Sequence, residues 1–173
     1  MTLRVAALVL LLGASSAAQT PKKAEPAAKP SQPGFDFKAR MQQIMDAWST
    51  LDPSKAAPFY SQEKDNVFYD VTPMKYAGWA AYAEGVPKSF ADYTSAKITV
   101  NRDARAHQRG NFAWGTATVH MELANKNGTT EPMDARWTVL WQKTGEDWLV
   151  VHEHFSVPLP AAPTKPAAPP KKK

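Results

Sequence analysis

The second half of this 173-residue chain alternates. Asn111 to Leu123 runs apolar, polar, apolar without a proline, and the pattern returns over Met133 to Lys143 and Trp148 to Phe155. A period of two puts the apolar side chains of a strand on one face, the mark of a sheet with one buried side. Asn127-Gly128 between the first two runs is a strong hairpin turn signal, and Gly145 separates the second from the third. At about 3.3 Å per residue, strands of this length reach roughly 35 to 45 Å, too long for a small flat sheet. The sheet must bend.

The first half has a different period. Phe37, Met41, Ile44, Met45, Trp48 and Leu51 fall at helical spacing, and the run ends at Asp52-Pro53 because proline disfavours a helical predecessor. Asp52 can cap a second, short helix with Pro53 in its first turn, reaching about Tyr60. Val67 to Val71 reads as a strand, and Pro73 and Gly78 mark a loop. Trp79, Tyr82, Ala83, Val86, Phe90 and Tyr93 return to helical spacing, with Pro87 expected to kink or split that helix. Lys97 to Asn101 begins the strands, and the polar stretch Asn101 to Gly110, with His107, reads as a solvated connection. The fold class is therefore α+β, a strongly curved antiparallel sheet of four to six strands on about three N-terminal helices.

The ends differ from the middle. Residues 1–18 have the three parts of a signal peptide: Arg4, the apolar run Val5 to Leu12, and the small residues Ser16-Ala17-Ala18. Val5 to Ala18 falls short of the roughly 20 residues a bilayer core requires, so an anchor is the weaker reading. Residues 19–34 and 160–173 are Pro-, Ala- and Lys-rich and read as disordered spacers around a domain at 35–159, with tail contact to an anionic cell surface as their functional alternative. The chain has no cysteine, which excludes disulfides, thiolate chemistry and a lipobox, so a periplasmic or secreted location is expected. The net charge of +5 suggests a nucleic-acid partner until it is located. Outside residues 30–164 stand eight basic residues against Glu25, whereas the middle holds thirteen basic and fifteen acidic residues. The folded part carries no positive field, and nucleic acid is not an expected partner.

Three motifs then point to a family. They are Asp70-Val71-Thr72-Pro73 with Tyr76 and Gly78-Trp79, the run from Arg136 to Lys143, and the closing stretch from Trp148 through His152-Glu153-His154 to Ser156. From about Asp36 to Leu159 the chain resembles the SnoaL-like group of the nuclear transport factor 2-like superfamily. That resemblance implies a cone-shaped roll of helices and curved sheet with a pocket in its wide end, commonly paired as a homodimer through the sheet. It implies fold more than chemistry, because the superfamily includes ketosteroid isomerase, polyketide cyclases, dehydratases and non-catalytic members.

Asp70 lies close to where ketosteroid isomerase carries its proton-shuttling aspartate, although the spacing to Gly78 differs by one residue. Desolvated among Tyr69, Val71 and Trp79, it would act as a general base with His154 or Tyr69 as partner; the plainer role is to bond loop amides before Pro73. An enolate oxygen would also need a donor, and apolar residues around Trp48 fill the position of the isomerase tyrosine, leaving Tyr60 and Tyr69 as substitutes. His152 and His154 share a strand face and could bind a metal only with a third ligand such as His120, Glu122 or Asp134, so the plainer role is hydrogen bonding near the pocket or a dimer seam. Which strand face points inward stays open, since a one-residue shift exchanges His152 for Glu153. An inward Arg136 would clamp a carboxylate ligand, and an outward one would pair with Asp134 or Glu153. Tyr60, Trp79, Trp114, His120, Arg136 and His152 complete the expected ligand-binding set, with most other aromatics belonging to the core. No phosphate loop, dinucleotide fingerprint or Gly-x-Ser-x-Gly elbow occurs, and no cofactor is expected. The expected function is binding of a small, partly apolar molecule; the alternatives are a cofactor-independent isomerase, cyclase or dehydratase with Asp70 as base, and a non-catalytic assembly module.

Overall fold

The computed structural model describes residues 34–159, so the signal-peptide, linker and tail readings lie outside the described residues. Helix α1 (Phe37–Ser49) begins where the Asp36 carboxylate accepts the Ala39 amide at 3.0 Å. Its buried side chains, Phe37, Met41, Ile44, Met45, Ala47 and Trp48, form one stripe, as the sequence spacing predicts. Thr50 closes the helix and Leu51 turns the chain with a positive φ of 58°. Asp52 then caps α2 (Pro53–Ala56) by accepting the Ser54 amide at 2.9 Å, and a 3-10 turn over Ala57–Phe59 delivers Tyr60 to the sheet. There Ser61 donates its amide to Val150 O at 2.9 Å.

One seven-stranded sheet follows, from β1 (Val67–Tyr69) and β2 (Tyr76–Ala77) through β3 (Tyr93–Val100), β4 (Arg105–Arg109), β5 (Phe112–Asn125) and β6 (Thr130–Thr144) to β7 (Asp147–Ser156). Its order is β2-β1-β7-β6-β5-β3, with β4 also paired to β5, and every pairing is antiparallel except β1 with β7. The strand count exceeds the expected four to six because two strands carry almost no pattern. Strand β2 has two residues, and β4 reads Arg-Ala-His-Gln-Arg, polar nearly throughout, in what the sequence presents as a connection. Tyr93 corrects another expectation. Its helical spacing is genuine, but α3 (Gly78–Ser89) ends at Phe90, the Tyr93 amide closes a turn on Phe90 O at 3.0 Å, and Tyr93 opens β3. Pro87 lies inside α3 without dividing it, since only the last turn follows it.

The helices cover one face of the sheet and tie down its edge. The Gln42 amide group bridges to β3, donating to Ile98 O at 3.1 Å and accepting from Val100 N at 2.8 Å, while Ser49 Oγ accepts from Ile98 N at 3.0 Å. The free edge of β3 is thereby partnered by side chains of α1 rather than left open to another strand. Below α1 the inward positions of the sheet are Ala113, Gly115, Ala117, Val119, Met121 and Leu123 on β5, facing Ala135, Trp137, Val139 and Trp141 on β6. Small residues on β5 opposite two tryptophans on β6 make room for the rings.

Gly115 marks the tightest approach. A Cβ there would lie 2.9 Å from both Met41 Sδ and the far edge of Trp141, inside van der Waals contact. We expect Gly115→Val to destabilise the fold by about 1–3 kcal/mol, as overpacking does elsewhere, read as a lower midpoint in urea denaturation; an unchanged midpoint would show that α1 rides higher over the sheet than the structure places it.

Candidate functional site

The interior of the fold is built around the carboxyl group of Glu153, the inward alternative to His152. Strand β7 pairs Trp141 with Val150 but Leu140 with His152, so Val151 is an extra, bulged residue. Before the bulge Trp148 and Val150 face inward; after it the inward positions are Glu153 and Phe155. Were Val151 paired in regular alternation, the two histidines would enter the core. With it they face away, and Glu153 is left with no exposed surface.

Three aromatic side chains satisfy that carboxylate. Tyr60 and Tyr82 donate their hydroxyls to Oε1 at 2.9 and 2.6 Å, and Trp137 donates Nε1 to Oε2 at 3.0 Å. Trp48 donates Nε1 to the Tyr60 oxygen at 2.8 Å, extending the chain of bonds to α1. Burial pushes the Glu153 carboxyl up to about 7 against the pull of those three bonds, and nearby Asp70 adds a further upward push. Both tyrosine hydroxyls are driven well above their usual range, by burial first and then by the Glu153 charge.

Asp70 follows β1 and keeps its alternation, sharing the inward direction of Phe68 while Tyr69 faces out. Desolvation raises its carboxyl to about 6, opposed by one hydrogen bond from the Val71 amide to Oδ1 at 2.7 Å. It lies where two chambers adjoin. The inner one, about 30 Å³, is walled by Met45, Trp48, Tyr82, Val86, Ile98 and Phe155. The outer one, about 230 Å³, is walled by Val71, Thr72, Ser89, Tyr93, Leu123 and Met133. Asp70, Phe90 and Met121 belong to both walls. The rim is fixed at Thr72, whose carbonyl accepts from Ser89 Oγ at 3.0 Å and Tyr76 OH at 3.4 Å.

The nine expected site residues divide between the two faces of the sheet. Asp70 and Tyr60 lie in the interior, and Trp79 is buried behind Tyr60, its ring 4.7 Å from that tyrosine and outside the chamber walls. Tyr69, Trp114, His120, Arg136, His152 and His154 lie on the opposite face, so neither His154 nor Tyr69 meets Asp70 in the pocket and Arg136 cannot clamp a ligand there. On that face His152 Nδ1 lies 2.6 Å from Val67 O, which fixes the proton on that nitrogen, and Tyr69 meets both histidine rings edge-on at 5.5 and 5.7 Å. His120 Nδ1 is engaged with Asp134 at 2.7 Å. Among the described residues no three His, Asp or Glu side chains come together in a metal-binding group. In the sequence Glu153 is visible only as a partner for Arg136 or as the residue that a one-position shift turns inward, and Tyr82 and Trp137 only as helix-spaced or core aromatics. One signal for it is that, past Asp147 at its first position, Glu153 is the single acidic residue of β7.

The buried carboxyl gives a signed pH dependence. A group whose pKa rises on folding binds its proton more tightly in the folded state, so its stabilising contribution is present below the unfolded value of 4.5 and is lost as pH rises through about 7. Wild type should lose up to about 3 kcal/mol of stability relative to Glu153→Gln between pH 4.5 and pH 8. Urea denaturation of both proteins across that range measures it, and parallel curves would mean that Glu153 titrates as it does in the unfolded chain.

Residues 38–160 match the family described as SnoaL-like domain. Among solved structures, the chain is similar to a nuclear transport factor 2-like superfamily protein from Salmonella enterica serovar Typhimurium, with 18% identity, a TM-score of 0.67, and coverage of 75% of this chain and 93% of that one. It is also similar to a calcium/calmodulin-dependent protein kinase II association domain candidate from Xanthomonas campestris, at 21% identity and TM-score 0.64 over 79% and 95% of the two chains. A third, a candidate dehydratase of the same fold from Streptomyces avermitilis, has 13% identity and TM-score 0.63 over 72% and 94%. The chain has no significant match among curated proteins. These likenesses share the helices and mostly antiparallel curved sheet described above, and the chain belongs to the SnoaL-like domain family, with the nuclear transport factor 2-like fold.

Proposed function

We propose that this domain binds a small, partly apolar molecule in the outer chamber, with its apolar part against Phe90, Met121 and Met133 and a polar group on Asp70. The observation that carries this reading is the position of Asp70, the single charged side chain in otherwise apolar and hydroxyl-bearing walls. Pockets that recognise small molecules combine apolar walls with a few fixed polar groups in this way. A chamber of about 230 Å³ is below the usual range for drug-sized ligands, which restricts the ligand to a small one. A base-catalysed reaction has less support. Asp70 has the raised carboxyl of a base, but the hydroxyls of Tyr60 and Tyr82 are spent on Glu153 and that of Tyr93 lies 3.3 Å from Glu131, leaving no tyrosine to stabilise an enolate. The protein acts, in this proposal, after export and without nucleic acid.

The outer face of the sheet favours a second reading, a homodimer. Val67, Leu140 and Trp114 form a half-buried row there, Phe112 is 52% exposed, and among the described residues the helices cover the other face. The likeness to an association domain supports a second copy of this chain as the occupant.

Both readings are testable. In a thermal-shift screen of the mature protein against small aromatic alcohols, ketones, amines and carboxylates, a ligand near 100 times its Kd adds about 2.7 kcal/mol to stability. Met121→Trp, which enlarges the side chain in the wall both chambers share, should weaken such a ligand at least tenfold (about 1.4 kcal/mol); a shift that survives the substitution would place the ligand elsewhere. Light scattering should give twice the chain mass for wild type and a single chain mass for Trp114→Glu, whereas a monomeric wild type would remove the dimer reading.

A further inference from the structure

We infer that the ligand of this pocket carries a cationic nitrogen: the site is built for a small primary or secondary amine on an apolar, preferably aromatic, body. The inference rests on the binding reading above and adds the ligand's charge. Asp70 Oδ1 accepts one bond, from the amide of the next residue, and Oδ2 has no hydrogen-bond partner among the described residues. A carboxylate has about four acceptor sites, and in an otherwise apolar wall the protein leaves those of Asp70 beyond the Val71 bond to a donor or cation of the ligand.

No cation among the described residues serves that purpose. Neither chamber has a lysine, arginine or histidine in its wall. Lys88, beside the rim residue Ser89, is exposed and paired with Glu84 at 2.6 Å, and Arg136 and all four histidines, His107, His120, His152 and His154, lie on the far face of the sheet. Behind the inner wall Tyr82 donates its hydroxyl to Glu153 at 2.6 Å, so that hydroxyl is not offered to the cavity. The one charged group in the chamber walls is therefore the carboxylate of Asp70. It repels carboxylate ligands, gives a neutral alcohol one hydrogen bond, and gives an ammonium both a charge-assisted bond and Coulomb attraction in poorly screened surroundings. The rings of Phe90 and Tyr93 in the outer wall add faces on which a cation and its aromatic body both find favourable contacts.

Three probes of matched shape separate the charges: 2-phenylethylamine, 2-phenylethanol and 3-phenylpropionate, each titrated into the mature protein at pH 7.5 by calorimetry. The amine should bind at least about tenfold tighter than the alcohol, the margin that a hydrogen bond to a charged group supplies, and the acid should bind more weakly than either. Asp70→Asn should bring the amine and the alcohol within about twofold of each other, while Asp134→Asn on the far face should leave the wild-type ratio intact. Val71→Lys, at a side chain already 40% exposed, sets a cation beside Asp70 and should abolish the amine's advantage even if Asp70→Asn fails to fold. An alcohol that binds as tightly as the amine, or an acid that binds more tightly, would overturn the inference and leave the binding proposal standing. Binding of none of the three would overturn both.

Discussion

Val151 takes up one position on β7 that has no partner on β6, and the consequences reach every part of the interior. The unpaired residue reverses the alternation of the strand, so β7 sends Trp148 and Val150 inward on one side of it and Glu153 and Phe155 on the other. A carboxyl group thereby enters a place meant for an apolar side chain. The cost of burying it would be prohibitive alone. Tyr60, Tyr82 and Trp137 arrive from the 3-10 turn, α3 and β6 with three donors, and each is itself oriented by that bond. The network is thus a constraint on three elements at once, fixing where α3 and the turn before β1 lie against the sheet.

The same arrangement shapes the pocket. Because Tyr82 turns its hydroxyl to Glu153, it lines the inner chamber without offering that hydroxyl to it, and the polarity of the cavity falls to Asp70. Burial raises the proton affinity of both carboxyls, Asp70 adds a further push on Glu153, and both sit near neutrality rather than in the ordinary acid range. A site with this character discriminates by charge more than by shape. Its aromatic walls adapt to many small ligands, whereas the unanswered carboxylate admits few signs and polarities.

Much of the architecture is legible residue by residue. The stripe from Phe37 to Trp48, the Asp52-Pro53 cap, the Asn127-Gly128 hairpin and the three long alternating strands all appear where their periods place them. Local physics suffices there, because burial on one face and turn chemistry each leave a short-range signature. Strand β4 leaves none, being held to β5 through its backbone while its side chains stay polar. Strand β6 begins at Thr130, ahead of Pro132, because β7 stops at Ser156 opposite Arg136 and no neighbour there requires the missing amide.

The site residues show where sequence ends and tertiary structure takes over. The sequence by itself determined that His152 and His154 share a face, that Asp70 shares one with Phe68, and that Tyr60 is delivered to the sheet by a capped turn, since these are facts of period and local geometry. Which of two faces meets the helices was decided only when β7 paired with β6 and β1 together, because a bulge is a property of two strands in register and leaves no mark in the composition of one. That pairing set six expected site residues on the far side of the sheet and put Glu153, flanked by two histidines that drew the eye, at the centre of the molecule.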